Sequence, residues 1–179
     1  MYFKNVVYQE GDIQFSTSDT IVLPVPCDGS MEGEVASIFK RRNPHMYSRY
    51  QYFCENNLLT PGKIWIYHTK RRKILLLPTP STATLHDCLT LGFSKIASVY
   101  KEKNVTSIAT PLVEYHGATL EAVKKELDHH LSKLDIPVEI FTKHVPRSNT
   151  LLPQLEKLCG HLSDREAEEI RRHICFEID

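Results

Sequence analysis

The stretch "VPCDGSMEGEVASIFKRRNP", residues 25–44, reads as a loop running into a helix. Gly29 and Gly33 precede an amphipathic run of Val35, Ala36, Ile38 and Phe39, which Pro44 closes. A loop of that kind offers backbone N–H groups to a phosphate. Here the carboxylates Asp28, Glu32 and Glu34 interrupt it. A carboxylate 4 Å from a phosphate costs about 1 kcal/mol in water and about 4 at an effective dielectric of 20. One inward-pointing glutamate would therefore weaken diphosphate binding from several-fold to roughly 1,000-fold. The opposite orientation puts both glutamates in the first helical turn, facing water, where they complement the helix dipole.

On either side of this stretch, strands and helices alternate. "NVVYQ" and "DTIVLPV" (19–25) are apolar, β-branched and bounded by turn formers, the pattern of strands. Residues 31–42 read as one helix. "PHMYSRYQYFCENN" reads as the next, with Met46, Tyr50 and Phe53 on one face. "PGKIWIYHTKRRKILLLPTP" reads as a hairpin with a basic turn, and 84–103 as a helix on the spacing of Leu85, Leu89, Phe93, Ile96 and Tyr100. "VTSIATPLV" is a buried strand, "TLEAVKKELDHHLSKL" an amphipathic helix and "PVEIFT" the last strand. The alternation predicts an α/β fold, a three-layer α/β/α sandwich with a mixed central sheet. After Thr142 a linker-like stretch, "KHVPRSNTLLP", leads to a capping box from Ser163 to Glu166. The expected organisation is a domain over 1–142 and a short C-terminal helical extension over 143–179.

Composition narrows the function classes. Over 179 residues the net charge is zero, which gives no support to bulk electrostatic binding of nucleic acid or acidic membrane. No apolar run approaches the ~18 residues needed to span a bilayer, and "MYFKNVVYQEGD" lacks a signal peptide's apolar core. Five cysteines (Cys27, Cys54, Cys88, Cys159, Cys175) form no CxxC pair, as expected of reduced thiols in a cytoplasmic protein. Seven glycines, against roughly 12 expected from a ~7% average, are few for a fold that cradles phosphate on glycine loops.

Five segments in order carry a family resemblance: "GDI" (Gly11, Asp12, Ile13), "CDGSMEGEVASIFKRRNP", "LLTPGKIWIY", "ILLLPTP" and "VTSIATPLV". Over residues 1 to about 142 the chain resembles the macro domain, an ADP-ribose-binding module. The resemblance is closest to the branch of DarG-type antitoxins, which removes ADP-ribose from DNA. It implies a ligand site at Asp12, Ile13, Cys27, Gly29, Met31, Gly33, Tyr115, His116 and Gly117, with the Asp12 carboxylate accepting from the adenine amino group. Departures are as informative. Pro26 stands where the family has an asparagine on the distal ribose, and Glu32 and Glu34 align with the first loop's glycines. Val113 and Tyr115 fill the second loop, where only Gly117 is kept. Pro80 aligns with the catalytic lysine, and proline is neither nucleophile nor base.

The residues themselves offer further candidates. Asp12 in "EGDI" also suits a plain turn. His116 beside Glu114 has a pKa suited to general acid–base work, although a solvated loop explains the same letters. Asp28, Glu114 and His116 are thus the candidate catalytic groups. His129 and His130 lack a third metal ligand, and Cys27 has no evident neighbour to lower its pKa. No metal and no cofactor is expected. "KRRNP" and "KRRK" suit a solvated helix end and a hairpin turn as well as nucleic acid. The resulting expectation is a divergent, antitoxin-like macro domain that binds ADP-ribose or a related nucleotide without lysine-dependent de-ADP-ribosylation. The alternatives are an ADP-ribosyl hydrolase with other catalytic groups, or a fold that has lost its ligand and binds a protein partner, for which 143–179 is the candidate surface.

Overall fold

The computed structural model describes residues 5–79, 85–113 and 118–144, with backbone alone for 85–89. In chain order they form β1 (Val6–Gly11), a 3-10 turn (Ile13–Phe15), β2 (Thr20–Pro26), α1 (Glu34–Arg42), α2 (Pro44–Glu55), β3 (Trp65–His68), β4 (Lys73–Thr79), α3 (Leu85–Val99), β5 (Ile108–Pro111), α4 (Leu120–Leu131) and β6 (Val138–His144). The strands make one sheet in the order β1-β6-β5-β2-β4-β3. All neighbours run parallel except the edge pair β3–β4.

The side-chain period of two divides the strands between two cores. Ile21, Leu23 and Val25 of β2, with Ile74 and Leu76 of β4, pack beneath α1 and α2 against Phe39, Met46 and Tyr50. The intervening Val22, Leu75 and Leu77 pack on the other face against Phe93 and Ile96 of α3 and Val123 and Leu127 of α4. Strands buried on both faces read as continuous apolar runs, as "TIVLPV" and "KILLLP" do. The sheet with helices on both faces is the sandwich expected from the sequence.

Boundaries differ in four places. The helix expected from residue 31 begins at Glu34, because Met31 is drawn fully into the core and Gly33 has extended backbone. On α2 the buried face is Met46, Tyr50 and Cys54, while Phe53 sits half-buried, edge-on to Trp65 at 4.9 Å. β5 is confined to Ile108–Pro111, and just before it the Thr106 N–H serves another partner, the Asp19 carboxylate at 3.3 Å. β6 runs to His144, two residues past the expected domain boundary, through its pairing with Glu10 and Gly11. The rest of the expected extension, residues 145–179, lies outside the described residues.

A polar knot ties the N-terminal ends of the central strands. Lys73 Nζ donates to both Asp19 oxygens at 3.1 and 2.9 Å and to the Asn104 carbonyl at 2.7 Å. Asp19 N–H donates to Ser107 Oγ at 2.8 Å. Burial alone would raise the Asp19 pKa, but hydrogen bonds from Lys73, Thr106 and Thr20 outweigh it and hold the carboxyl below its ordinary 3.8. A depressed folded-state pKa adds stability that is present above the unfolded value and lost as pH falls through the folded one. Urea midpoints measured from pH 7 down to pH 2 should therefore drop below about pH 4. Asp19→Asn should be less stable at neutral pH and show a shallower acid limb.

One close approach is set by sequence. A Cβ built on Gly92 of α3 would lie 2.3 Å from Leu77 Cδ1 and 3.0 Å from its Cγ, and Leu77 is fully buried. Overpacking costs about 1–3 kcal/mol, more than the roughly 1 kcal/mol that alanine gains over glycine in a helix. Gly92→Ala should lower the urea midpoint although it improves helix propensity.

Candidate functional site

The chain leaves β2 through α1 and α2 on one face of the sheet, and leaves β5 through α4 on the other. Between these two neighbours lies the switch point, where a parallel α/β sheet opens a crevice beyond its strand C-termini. Among the described residues its rim is the loop after β2 (residues 27–33), Leu112 and Val113 after β5, and the turn after β1 that begins at Asp12. Of the expected site residues, this brings Asp12, Ile13, Cys27, Gly29, Met31 and Gly33 to one end of the sheet. Pro80 and residues 114–117 (Glu114, Tyr115, His116 and Gly117) lie outside the described residues.

Asp12 caps the 3-10 turn. One carboxylate oxygen accepts from the Gln14 N–H at 2.9 Å and the other from Gln14 Nε2 at 3.1 Å. His144, at the end of β6, places Nδ1 4.0 Å from the first oxygen, and both side chains are more than nine-tenths buried. The carboxylate is thus fixed in direction by a backbone amide and a side-chain amide. Ile13 beside it is 1% exposed and Met31 is 0%. These two form the base on which the rim rests, and what they can offer a ligand is main chain.

The loop after β2 is draped over α2. Gly29 takes φ +85, and its Cα faces the Gln51 backbone and Cys54, a left-handed conformation that glycine adopts without a Cβ penalty. The Tyr50 hydroxyl lies between two carbonyls of the loop, those of Pro26 and Ser30, with Ser30 O at 2.9 Å. Burial, then the neighbouring Cys54 and Asp28, push the phenol well above its ordinary range, so it stays a proton donor. Asp28 Oδ1 accepts the Ser30 N–H at 2.8 Å. The Ser30 side chain, and after it that amide contact, hold its carboxyl below the ordinary range. The Gly29 amide turns inward to Cys54, whose thiol is nevertheless raised by burial. Two loop amides are therefore satisfied within the protein.

The glutamates face water. Glu32 is 80% exposed and 3.4 Å from Lys40 Nζ, further along α1. Glu34 is exposed in the first turn of α1. The N-cap Gly33 has no side chain to bond the first-turn amides, and the helix's first internal bond is Ser37 N–H to Gly33 O at 2.8 Å. Neither glutamate carries the penalty of a buried carboxylate aimed at a phosphate.

The other candidates separate. His129 points to Lys133 Nζ at 2.9 Å. His130 turns inward, 3.3 Å from Thr90 Oγ1 and 3.6 Å from Glu126, stacked on Phe93. Among the described residues no group of three metal-ligating side chains occurs, and no helix is long and apolar enough to cross a membrane. Sequence reasoning missed Gln14, Tyr50 and His144 as organisers of the rim. Tyr50 had a readable signal: a tyrosine on a core-facing stripe must find a partner for its hydroxyl.

No model of a known protein family matches the sequence. Two curated relatives, the DNA ADP-ribosyl glycohydrolases of Mycobacterium bovis and Mycobacterium tuberculosis, are each 29% identical over 116 residues, which cover 59% of this chain and 32% of theirs. The matched region is thus about a third of those relatives' length. Among solved structures, the macrodomain of Mycobacterium tuberculosis DarG superposes with a TM-score of 0.69 at 27% identity, covering 76% of this chain and 96% of that one. Thermosipho africanus DarTG in complex with ADP-ribose superposes at 0.70 with 26% identity, covering 79% of this chain and 42% of that one.

The clamp on the first loop can be tested directly. Tyr50→Phe leaves the Pro26 and Ser30 carbonyls without their donor, which should cost about 1–3 kcal/mol. Urea unfolding should register that loss, and amide exchange should quicken at Gly29 and Ser30 before it does in β2.

Proposed function

The chain carries a macro domain related to that of DarG, and from this premise we propose that it binds an ADP-ribose-like nucleotide in the crevice at the β2–β5 switch point. The observation that carries the reading is the buried, doubly anchored Asp12 carboxylate. A carboxylate has about four acceptor positions, and Gln14 occupies two. The remainder can accept from an adenine amino group, in surroundings where burial strengthens a hydrogen bond. The uncapped N-terminus of α1 supports a place for the diphosphate, since first-turn amides and the helix dipole both favour an anion. The likeness to a DarTG structure holding ADP-ribose supports the ligand class.

In this reading lysine-dependent hydrolysis is absent, because proline stands at position 80. Asp28 gives little support to an alternative acid: a carboxyl held low by Ser30 has no proton to donate near neutral pH. Glu114 and His116 remain the groups on which a different hydrolytic mechanism would rest. The protein partner is assigned to the expected extension, residues 143–179; because Lys143 and His144 belong to β6, removal of residues 145–179 should change what the chain associates with and leave nucleotide binding intact.

Thermal melting tests the binding claim. ADP-ribose at a hundred times its dissociation constant adds about 2.7 kcal/mol, which raises the melting midpoint of a domain this size by roughly 5–10 °C. Asp12→Ala should remove most of that shift. No shift with ADP-ribose, ADP or NAD would overturn the reading. Incubation with ADP-ribosylated DNA should release no ADP-ribose. Release that disappears in Glu114→Ala or His116→Ala would replace the binding module with an enzyme.

A further inference from the structure

The far edge of the sheet, remote from the switch point, has the construction of a docking site. β3 is an edge strand, and among the described residues nothing pairs with its outer side. Its inner register against β4 is Trp65 with Leu76, Ile66 with Leu75, Tyr67 with Ile74 and His68 with Lys73. The next pair is hydrogen-bonded, Thr69 N–H to Arg72 O at 2.9 Å. Antiparallel ladders alternate bonded and non-bonded pairs, so Trp65 and Tyr67 spend their backbone groups on β4. Those of Ile66 and His68 point outward.

Beside that outer edge runs a groove of about 580 Å³ between β3 and the end of α3. Ile64, Ile66 and Val99 line it with apolar surface, and Lys95, Lys103 and His68 stand around it. The one carboxylate among its lining residues, Glu102, is held by Lys103 Nζ at 2.7 Å. A second concavity of about 320 Å³ continues it past Ile64 and Lys95 and adds Lys63 and the half-exposed Leu58. Exposed sheet edges are templates for pairing, and proteins commonly blunt them with a lysine or proline in the strand. "WIYH" holds neither. A second copy is a poor occupant, because edge-to-edge pairing would bring two lysine-rich rims together.

We propose that the outer edge of β3 receives an extended peptide segment of a partner protein, one whose side chains on the α3 face of the sheet are apolar in the middle and acidic at the ends. The segment adds a seventh strand: its backbone bonds to Ile66 and His68, and every second side chain faces α3, the central apolar ones entering the groove and the flanking carboxylates meeting Lys95 and Lys103. Main-chain pairing supplies affinity and alternate side chains supply selection.

The test uses the full chain and a capped nonapeptide with threonine at the even positions and glutamate, three valines and glutamate in turn at the odd ones, with the version carrying lysine for glutamate as control. Binding is followed by fluorescence of Trp65, the one tryptophan in the chain, and by residue-resolved amide exchange. Added peptide should slow exchange at Ile66 and His68, and leave Trp65 and Tyr67 as slow as before. Lys95→Glu combined with Lys103→Glu should weaken binding at least tenfold and keep the ADP-ribose melting shift. Ile66→Pro removes an outward N–H that β4 does not use, so the protein should fold and bind no peptide; a preserved thermal unfolding transition checks the folding. Three results would overturn the proposal. These are unchanged exchange at Ile66 and His68 under peptide excess, equal affinity for the lysine peptide, and Ile66 and His68 amides already slow in the free chain. The last would mean that another part of the chain or a second copy covers the edge.

Discussion

The central strands β2 and β4 are buried on both faces, and almost everything else follows from that. Successive residues of each strand feed different cores: Ile21, Leu23, Ile74 and Leu76 go one way, and Val22, Leu75 and Leu77 the other. Because the side-chain period is two, a one-residue slip would exchange the whole set between the cores. The pairing of Thr20–Pro26 with Lys73–Thr79 is in register along its full length, so the C-terminal ends of both strands stop level with each other. That common end point underlies the switch point. The loop after β2 then has a fixed origin, and Tyr50 and Gly29 fix its path.

This arrangement explains how a glycine-poor chain keeps an ordered first loop at the switch point. A glycine loop gains its approach to a ligand from bare backbone. Here the first loop is organised from inside, by a phenol on Pro26 and Ser30 carbonyls, a carboxylate on the Ser30 amide, and the Gly29 amide against Cys54. The cost is that some amides are already committed. What stays open is the first turn of α1, where no side chain caps the helix and the two glutamates lean to solvent. Acidic residues in such a loop need not repel a phosphate when their carboxylates sit in water beside a lysine.

Much of the architecture was legible in the letters, and the reason is physical. Runs such as "TIVLPV" and "KILLLP" are too uniformly apolar for a one-sided strand, and the helices between them carry a clear 3.6-residue stripe. Element ends were harder. The start of α1 depends on Met31 leaving the helical path to fill the core, and the end of β6 depends on its partner strand β1; both are long-range effects. The rim was half legible. Asp12 and Gly29 stood out by type and position, while Gln14 and His144 gained meaning only when β1 and β6 came side by side. Glu32 faces outward because Lys40 stands two turns further along the chain, a pairing that spacing alone leaves undecided.

The knot of Asp19, Lys73, Asn104 and Ser107 closes the opposite end of the strands from the crevice. The knot and the proposed ligand rim therefore lie at opposite poles of one sheet. Substitutions at the lower pole can tune resistance to heat or acid while the upper pole keeps its shape, which makes the knot a natural place to engineer a tougher scaffold. The same separation would let the rim change in sequence without bringing down the frame that carries it.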